Sequence, residues 1–285
     1  MKSPEILQTT IRIGLKKPVR FLHVTDSHIS LADERDNADL RWLAEARAKE
    51  FDGGEPGSAV QLYREISDYA RKRNLFVVHT GDLIDFLSQA NFDFLDRAFD
   101  GVDYLYAAGN HDFCHFVGRA TEDAAYKREN RKKTAPHLRS NLHFDSHVLG
   151  GVNLVALDDS YYLIDDGQTE MLRAEAAKGL PMVLCMHAPL YTPRCAEKRL
   201  AENPCAYLVA PPADVSARYP EDRRLQQTPD EATLRAVDYI KSEPLIKAII
   251  AGHTHQNEEE PLENGIPQYT TGASYRGFAR EICLL

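Results

Sequence analysis

No apolar run in the sequence approaches the ~18 residues that a membrane-spanning helix needs, which excludes a helical membrane protein. Cysteine is scarce, five residues in 285. Cys114, Cys185, Cys195, Cys205 and Cys283 form no CxxC pair. An odd, scattered set argues against a disulfide framework and a zinc–thiolate site, and for reduced thiols. Positive charge is in deficit: 34 Lys and Arg face 43 Asp and Glu, a formal net charge of −9. That balance disfavours adhesion to an anionic membrane or to nucleic acid, and a small phosphorylated substrate fits it better than a polymer. No Gly/Ser linker or shift of composition divides the chain, so residues 1–285 are expected to form one domain with insertions. The opening MKSPEILQTTIRIG lacks an apolar core of secretory type, and the expected location is the cytoplasm.

What the chain does contain is a regular alternation. Val19 to Thr25, Leu75 to Thr80, Tyr104 to Ala108, Val152 to Leu157, Met182 to Met186 and Ile246 to Ala251 read as strands, most of them continuously apolar as strands covered on both faces are. Further strands are expected between Gln268 and Leu285. Between these runs, Asn37 to Glu50, Ser58 to Arg73, Asn91 to Phe99 and Gln168 to Lys178 carry helical patterns. Thr228-Pro229-Asp230-Glu231 reads as a helix start with Thr228 as N-cap and Pro229 in the first turn, the helix ending before Pro244. Strands alternating with helices imply an α/β layered fold. Residues 31–57 and 190–228 interrupt the pattern, and loops that long in a compact domain commonly shape a functional rim.

The informative residues stand directly after the strands. One strand runs into Asp26-Ser27-His28, the next into Gly81-Asp82-Leu83-Ile84-Asp85, the third into Gly109-Asn110-His111-Asp112. Two others end at His187 and at Gly252-His253-Thr254-His255. Singly, Asp26 reads as a turn or cap residue, Asp82 as a loop carboxylate, Asn110 as a turn former and His187 as a core histidine. Their recurrence at five strand ends is better explained by the crevice that forms beyond the carboxyl ends of α/β strands. Two carboxylates, one amide oxygen and four imidazoles suit Mn, Fe or Zn, and they outnumber the ligands of one tetrahedral ion. In an extended segment residues two apart share a face, so His253 and His255 would point the same way.

In that order, DSH, GDLID, GNHD, a lone histidine after a strand and GHTH resemble the calcineurin-like metallophosphoesterase superfamily. The resemblance spans residues 26 to 255. It implies a four-layer αββα sandwich of two mixed β-sheets flanked by helices, with the C-terminal strands in the second sheet. It also implies two divalent or trivalent ions, Asp26, His28 and His255 holding the first, Asn110, His187 and His253 the second, and Asp82 bridging them. Two such ions would activate a shared water for in-line attack on phosphorus. By the same resemblance His111 would stabilise the phosphoryl group or protonate the leaving oxygen. Asp112 would orient it, with helix capping as the alternative for Asp112. Asp85 reads as a loop carboxylate or a supporting one rather than as a ligand.

Asn110, His111, His115, Arg194 and Arg276 are the candidate substrate contacts, and Tyr191 and Tyr275 could stack on a base. Cys114 reads as a core residue, and His23 and His79 as packing or hydrogen-bonding residues within strands. Serine/threonine phosphatases of the superfamily carry GDYVDRG and RGNHE, where this chain has GDLIDFL and AGNHDFC. Resemblance to the smaller bacterial-type GNHD members of the superfamily implies hydrolysis of small-molecule phosphodiesters, nucleotide-like phosphates among them. Phosphomonoesterase, nuclease and catalytically inactive scaffold are the alternatives. All seven ligand positions and His111 are present, which speaks against the scaffold.

Overall fold

Continuously apolar strands need cover on both faces, and the chain supplies it by stacking two sheets between helices. The computed structural model describes residues 3–119, 123–202, 207–221, 223–224 and 228–285. The first sheet has the order β1 (Glu5–Ile11), β11 (Phe278–Leu284), β2 (Val19–Val24), β3 (Phe76–His79), β4 (Tyr104–Tyr106). The second has the order β5 (Phe144–Leu149), β6 (Val152–Leu157), β7 (Met182–Cys185), β8 (Ile246–Ala251), β10 (Pro267–Thr270), β9 (Glu258–Pro261). Both sheets are mixed: β2, β3 and β4 run parallel, as do β6, β7, β8 and β10, whereas β11 is antiparallel to β2, and β5 and β9 are antiparallel to their neighbours.

Three apolar layers hold this stack together. Phe21, Val78, Leu105, Leu154, Val183, Ile250 and Ile282 fill the space between the sheets. Leu22, Val24 and Val77 point outward onto α2 (Ser58–Arg73) and α3 (Gln89–Ala98), meeting Tyr63, Ile66 and Leu95. On the far side Val155, Leu184 and Ile249 meet α5 (Asp166–Ala176) and α8 (Glu231–Ser242) through Leu172, Val237 and Ile240. The result is the αββα sandwich. Among the described residues no helix is long and apolar enough to cross a membrane. Cys114, Cys185, Cys195 and Cys283 are buried, and no disulfide joins any two of them; Cys205 lies outside the described residues.

Local chemistry explains the helix ends. Asn37 caps α1 (Ala38–Phe51) by accepting the Leu40 N–H, Ser88 caps α3 at Asn91, Asp123 caps α4 (Ala124–Thr134) at Tyr126, and Asp165 with Gln168 forms a reciprocal capping box on α5. For α8 the cap is Asp230, not Thr228: its carboxylate accepts the N–H of Thr233, three residues on, so Pro229 lies just outside the helix. The stretch 190–228 also contains helices, α6 (Pro193–Glu202) and α7 (Ala213–Ser216), where the sequence shows no clear period.

The C-terminal strands do not both belong to the second sheet. β10 pairs with β8 there, but β11 crosses over and inserts between β1 and β2, in register with β1 for seven residues. The short helix Ser274–Arg276 makes the crossing, tied to β2 by the Ser274 N–H on Thr25 O. Strands β1, β5 and β9, absent from the expected set, are all edge strands. An edge strand such as EEEP needs little apolar surface and leaves a weak periodic signal.

Candidate metal centre

Because β2, β3 and β4 are parallel, and β7 and β8 are parallel beside them, the five turns that follow these strands open at one edge of the sandwich. The chain leaves the strands sharply. Asp26, His28, Asp82, His253 and His255 all adopt left-handed backbone, with φ of 51°, 45°, 54°, 63° and 56°. For residues other than glycine such conformations cost roughly 1–3 kcal/mol each and persist only where surrounding contacts impose them. Here hydrogen bonds impose them: Asp26 and His28 N–H groups bond to the carbonyls of Gly81 and Asp82, and the His253 N–H to Asp26 Oδ2 at 2.9 Å. His253 and His255 therefore do not share a face of an extended strand, as β8 ends at Ala251. The two side chains diverge instead, His255 toward His28 and His253 toward His187.

Asp26, His28 and His255 converge closely. His28 Nε2 lies 3.1 Å from His255 Nε2 and 3.8 Å from Asp26 Oδ1, and His255 Nε2 lies 3.2 Å from the same carboxylate oxygen. His187 Nε2 is 3.1 Å from Asn110 Oδ1 and 3.3 Å from Asp82 Oδ2. Asp82 Oδ2 also reaches to 3.8 Å from His28 Nε2, so it stands between the two groups, while Asp82 Oδ1 accepts the His111 N–H at 2.8 Å. Asp26 is likewise within reach of Asp82 and His187. His253 sits at the margin, its Nε2 3.3 Å from the Tyr162 hydroxyl and its ring 5.0 Å from that of His187.

Ring tautomers aim these imidazoles inward. His187 Nδ1 donates to the Thr80 carbonyl at 2.7 Å and His28 Nδ1 to Asp85 Oδ1 at 2.9 Å, which leaves each Nε2 facing the cluster. His255 Nδ1 meets the Tyr275 hydroxyl at 3.2 Å. The donor set fits a pair of cations. Asp26 Oδ1 is buried and no hydrogen bond reaches it. Burial alone would push the His28 and His187 imidazoles down, yet the carboxylates around them, Asp26, Asp85 and Asp82, hold both up at about 10. The pocket thus demands positive charge, which bound metal supplies in place of protons. The other two imidazoles go the opposite way: His253 is pushed down to about 3 by burial and by its neighbour His187, and burial also pushes His255 down.

Asp112 does not orient His111. Its Oδ2 accepts the N–H groups of Gly109 and Asp82 at 2.8 and 3.0 Å and the Tyr106 hydroxyl at 2.7 Å, stitching the turn after β4 to the turn after β3. The reason is geometric: the short helix His111–Phe113 turns Asp112 back under the turn, away from the imidazole. Burial and then the charge of Asp82 raise its carboxyl to about 6. The residue that receives His111 Nδ1 is Asp85, through Oδ1 and its own carbonyl, each at 2.9 Å.

The remaining candidates divide. His23 bonds Thr80 and Thr271, and His79 bonds Ser27 and stacks on Tyr106, so both belong to the interior. Cys114 is buried. His115 and Arg194 stand exposed on the surface. Arg276 is exposed too, but it lies over the Tyr275 ring and lines a cavity of about 490 Å³ with Glu50, Phe51 and Leu62. Tyr275 itself is engaged with His255, and Tyr191 is only partly buried near α6.

Several residues of the site escape the strand-end pattern. Phe51 stacks on His28 at 4.4 Å, Arg47 grips Asp85, and Tyr162 meets His253. Asp159, which accepts the N–H groups of His187 and Ala188 at 2.8 and 3.0 Å, has its carboxyl raised to about 7 by burial. It was within reach of the sequence, since LDDS follows β6 as the other motifs follow their strands. Gly252 is glycine for want of space rather than for a left-handed turn: a Cβ there would overlap Thr25 Oγ1 and Asp26 Oδ2. Gly252→Ala is therefore expected to cost about 1–3 kcal/mol of stability by overpacking. Metal binding should weaken with it, as thermal unfolding with and without Mn²⁺ would show.

The sequence model of one family, calcineurin-like phosphoesterase, matches residues 19–257. No curated protein matches the chain in sequence. Among solved structures, the chain is similar to a dimetal phosphatase from Danio rerio, with 16% identity, 91% of this chain and 89% of that one covered, and a TM-score of 0.49. It is similar also to a putative 5'-nucleotidase from Staphylococcus aureus, with 12% identity, 90% and 49% covered, and a TM-score of 0.45. A phosphopantetheinyl hydrolase from Mycobacterium tuberculosis gives 11% identity, 94% and 91% covered, and a TM-score of 0.42.

Proposed function

The chain belongs to the calcineurin-like phosphoesterase family of dimetal-dependent hydrolases, and from that premise we propose that it hydrolyses small-molecule phosphodiesters. The observation that carries the reading is the position of Asp82 Oδ2, 3.3 Å from His187 and 3.8 Å from His28, between two clusters of inward-facing donors. Asp26, His28 and His255 would hold one ion, Asn110, His187 and His253 the other, and Asp82 both. Bound there, the ions would lower the pKa of a water and neutralise phosphoryl oxygens.

The rest falls to the chain's own side chains. His111 is half-buried at the mouth, with Nδ1 held by Asp85, so Nε2 is the nitrogen left to give a proton to the leaving oxygen. Burial opposes its protonated form, but the charges of Asp85 and Asp82 outweigh that and raise its pKa. Asp112 keeps Asn110 and Asp82 in mutual position by joining their two turns.

The preference for diesters is supported by what borders the His28 and His255 side. Phe51, Tyr275 and Arg276 form a partly apolar wall that would seat the second substituent of a diester. A panel of bis(p-nitrophenyl) phosphate, p-nitrophenyl phosphate, cyclic nucleotides and nucleotide diphosphate conjugates, each with Mn, Mg, Zn and Fe, tests it. Diesters should turn over fastest; faster monoester turnover would replace the reading with a phosphomonoesterase.

The two insertions would form the rim. Residues 31–57 deliver Arg47 and Phe51 to His28 and Asp85, and residues 190–228 deliver Tyr207 against Tyr162, the neighbour of His253. Shortening 195–222 should change the ranking of substrates in that panel more than it changes metal content. An unaltered ranking would remove this segment from substrate choice.

A further inference from the structure

Asp85 is held from a helix that no strand-end motif announces. Arg47, on α1, donates from Nε to Asp85 Oδ2 at 2.6 Å and from Nη2 to Asp85 Oδ1 at 3.0 Å. Its third nitrogen, Nη1, donates to Glu50 Oε2 at 2.6 Å. The guanidinium also lies 4.7 Å from the centre of the Phe51 ring, and Phe51 stacks on His28. Asp85 is fully buried, and a single oxygen, Oδ1, lies 2.9 Å from both His28 Nδ1 and His111 Nδ1.

We propose that Arg47 is a positioning residue for turnover: its two-pronged grip fixes the plane of the Asp85 carboxylate so that one oxygen serves His28 and His111 together. The inference rests on the reading of His111 as the proton donor and His28 as a metal ligand. The physical need is clear. Two imidazole N–H groups meeting one oxygen leave the carboxylate free to rock about its Cβ–Cγ bond, and rocking moves one imidazole out of line. A planar guanidinium bonded to both oxygens removes that freedom, which the point charge of a lysine cannot do. All three nitrogens of Arg47 are engaged within the protein, so it acts through Asp85 and not on substrate.

The test compares Arg47→Met, Arg47→Lys, His111→Ala and the Arg47→Met/His111→Ala double variant as Mn²⁺-loaded enzymes, on aryl phosphodiesters of rising leaving-group pKa. Calorimetry of each apoprotein with Mn²⁺ supplies a second readout. Arg47→Met should lower kcat about 10-fold on the poorest leaving groups with KM unchanged and should weaken Mn²⁺ binding by up to about 10-fold. Arg47→Lys should recover only part of both losses, and the double variant should be no slower than His111→Ala alone. If Arg47→Met does not fold, Arg47→Lys carries the comparison. A helix clamp without a positioning role would lower Tm only, leave the leaving-group dependence and the Mn²⁺ affinity at wild-type values, and overturn the proposal. If His111→Ala itself shows no leaving-group dependence, the proton-donor reading fails. Unchanged Mn²⁺ affinity in Arg47→Met would then overturn the Arg47 proposal as well.

Discussion

Asp82→Asn is expected to reduce turnover by more than about 100-fold and to leave the protein unable to retain two metal ions. Loss of a partner that merely orients a metal ligand costs about 10–100-fold in affinity or activity, and a carboxylate shared by two ions stands closer to the chemistry than that. The substitution keeps size and shape. Its amide oxygen would continue to accept the His111 N–H that Asp82 Oδ1 accepts at 2.8 Å. The amide NH₂ would then occupy the place of Oδ2, 3.3 Å from His187 Nε2 and 3.8 Å from His28 Nε2, presenting hydrogens where a cation needs a lone pair. Elemental analysis after desalting, alongside kcat, decides it. Two retained ions with wild-type turnover would remove Asp82 from the bridging position.

His111→Ala should give the opposite pairing of results: both ions retained, and turnover lowered by about 10²–10⁴-fold on substrates whose leaving group needs a proton. The main-chain N–H of His111 bonds Asp82, a contact that alanine keeps, while its imidazole is engaged with Asp85 and packs edge-on against His28. On p-nitrophenyl esters, whose leaving group departs as a stable anion, the loss should be much smaller. Equal losses on both classes would show that His111 acts on the phosphoryl group rather than on the leaving oxygen. Loss of metal together with activity would show that it holds the site together instead.

Much of this site is legible along the chain because its strands are interior. A strand covered on both faces is mostly apolar, so the metal-capable residues just beyond it stand out, and Asp26, Asp82, Asn110, His187 and His253 all do. The edge strands offer no such contrast. Nor does the chain order reveal which carboxylate serves which imidazole. Asp112, adjacent to His111, is turned away by the short helix, and Asp85, 26 residues earlier, takes its place. The spacing of His253 and His255 suggests a shared face, whereas left-handed backbone at both sends them to opposite halves of the cluster.

The layered α/β fold and the donor residues at five strand ends are written in the chain itself, since hydrophobic burial and chain order act over neighbouring residues. How those donors are aimed is a property of tertiary packing alone. Arg47 meets Asp85 across 38 positions and Tyr162 meets His253 across 91, and such pairings depend on where whole helices and turns pack, which no local pattern of residues encodes.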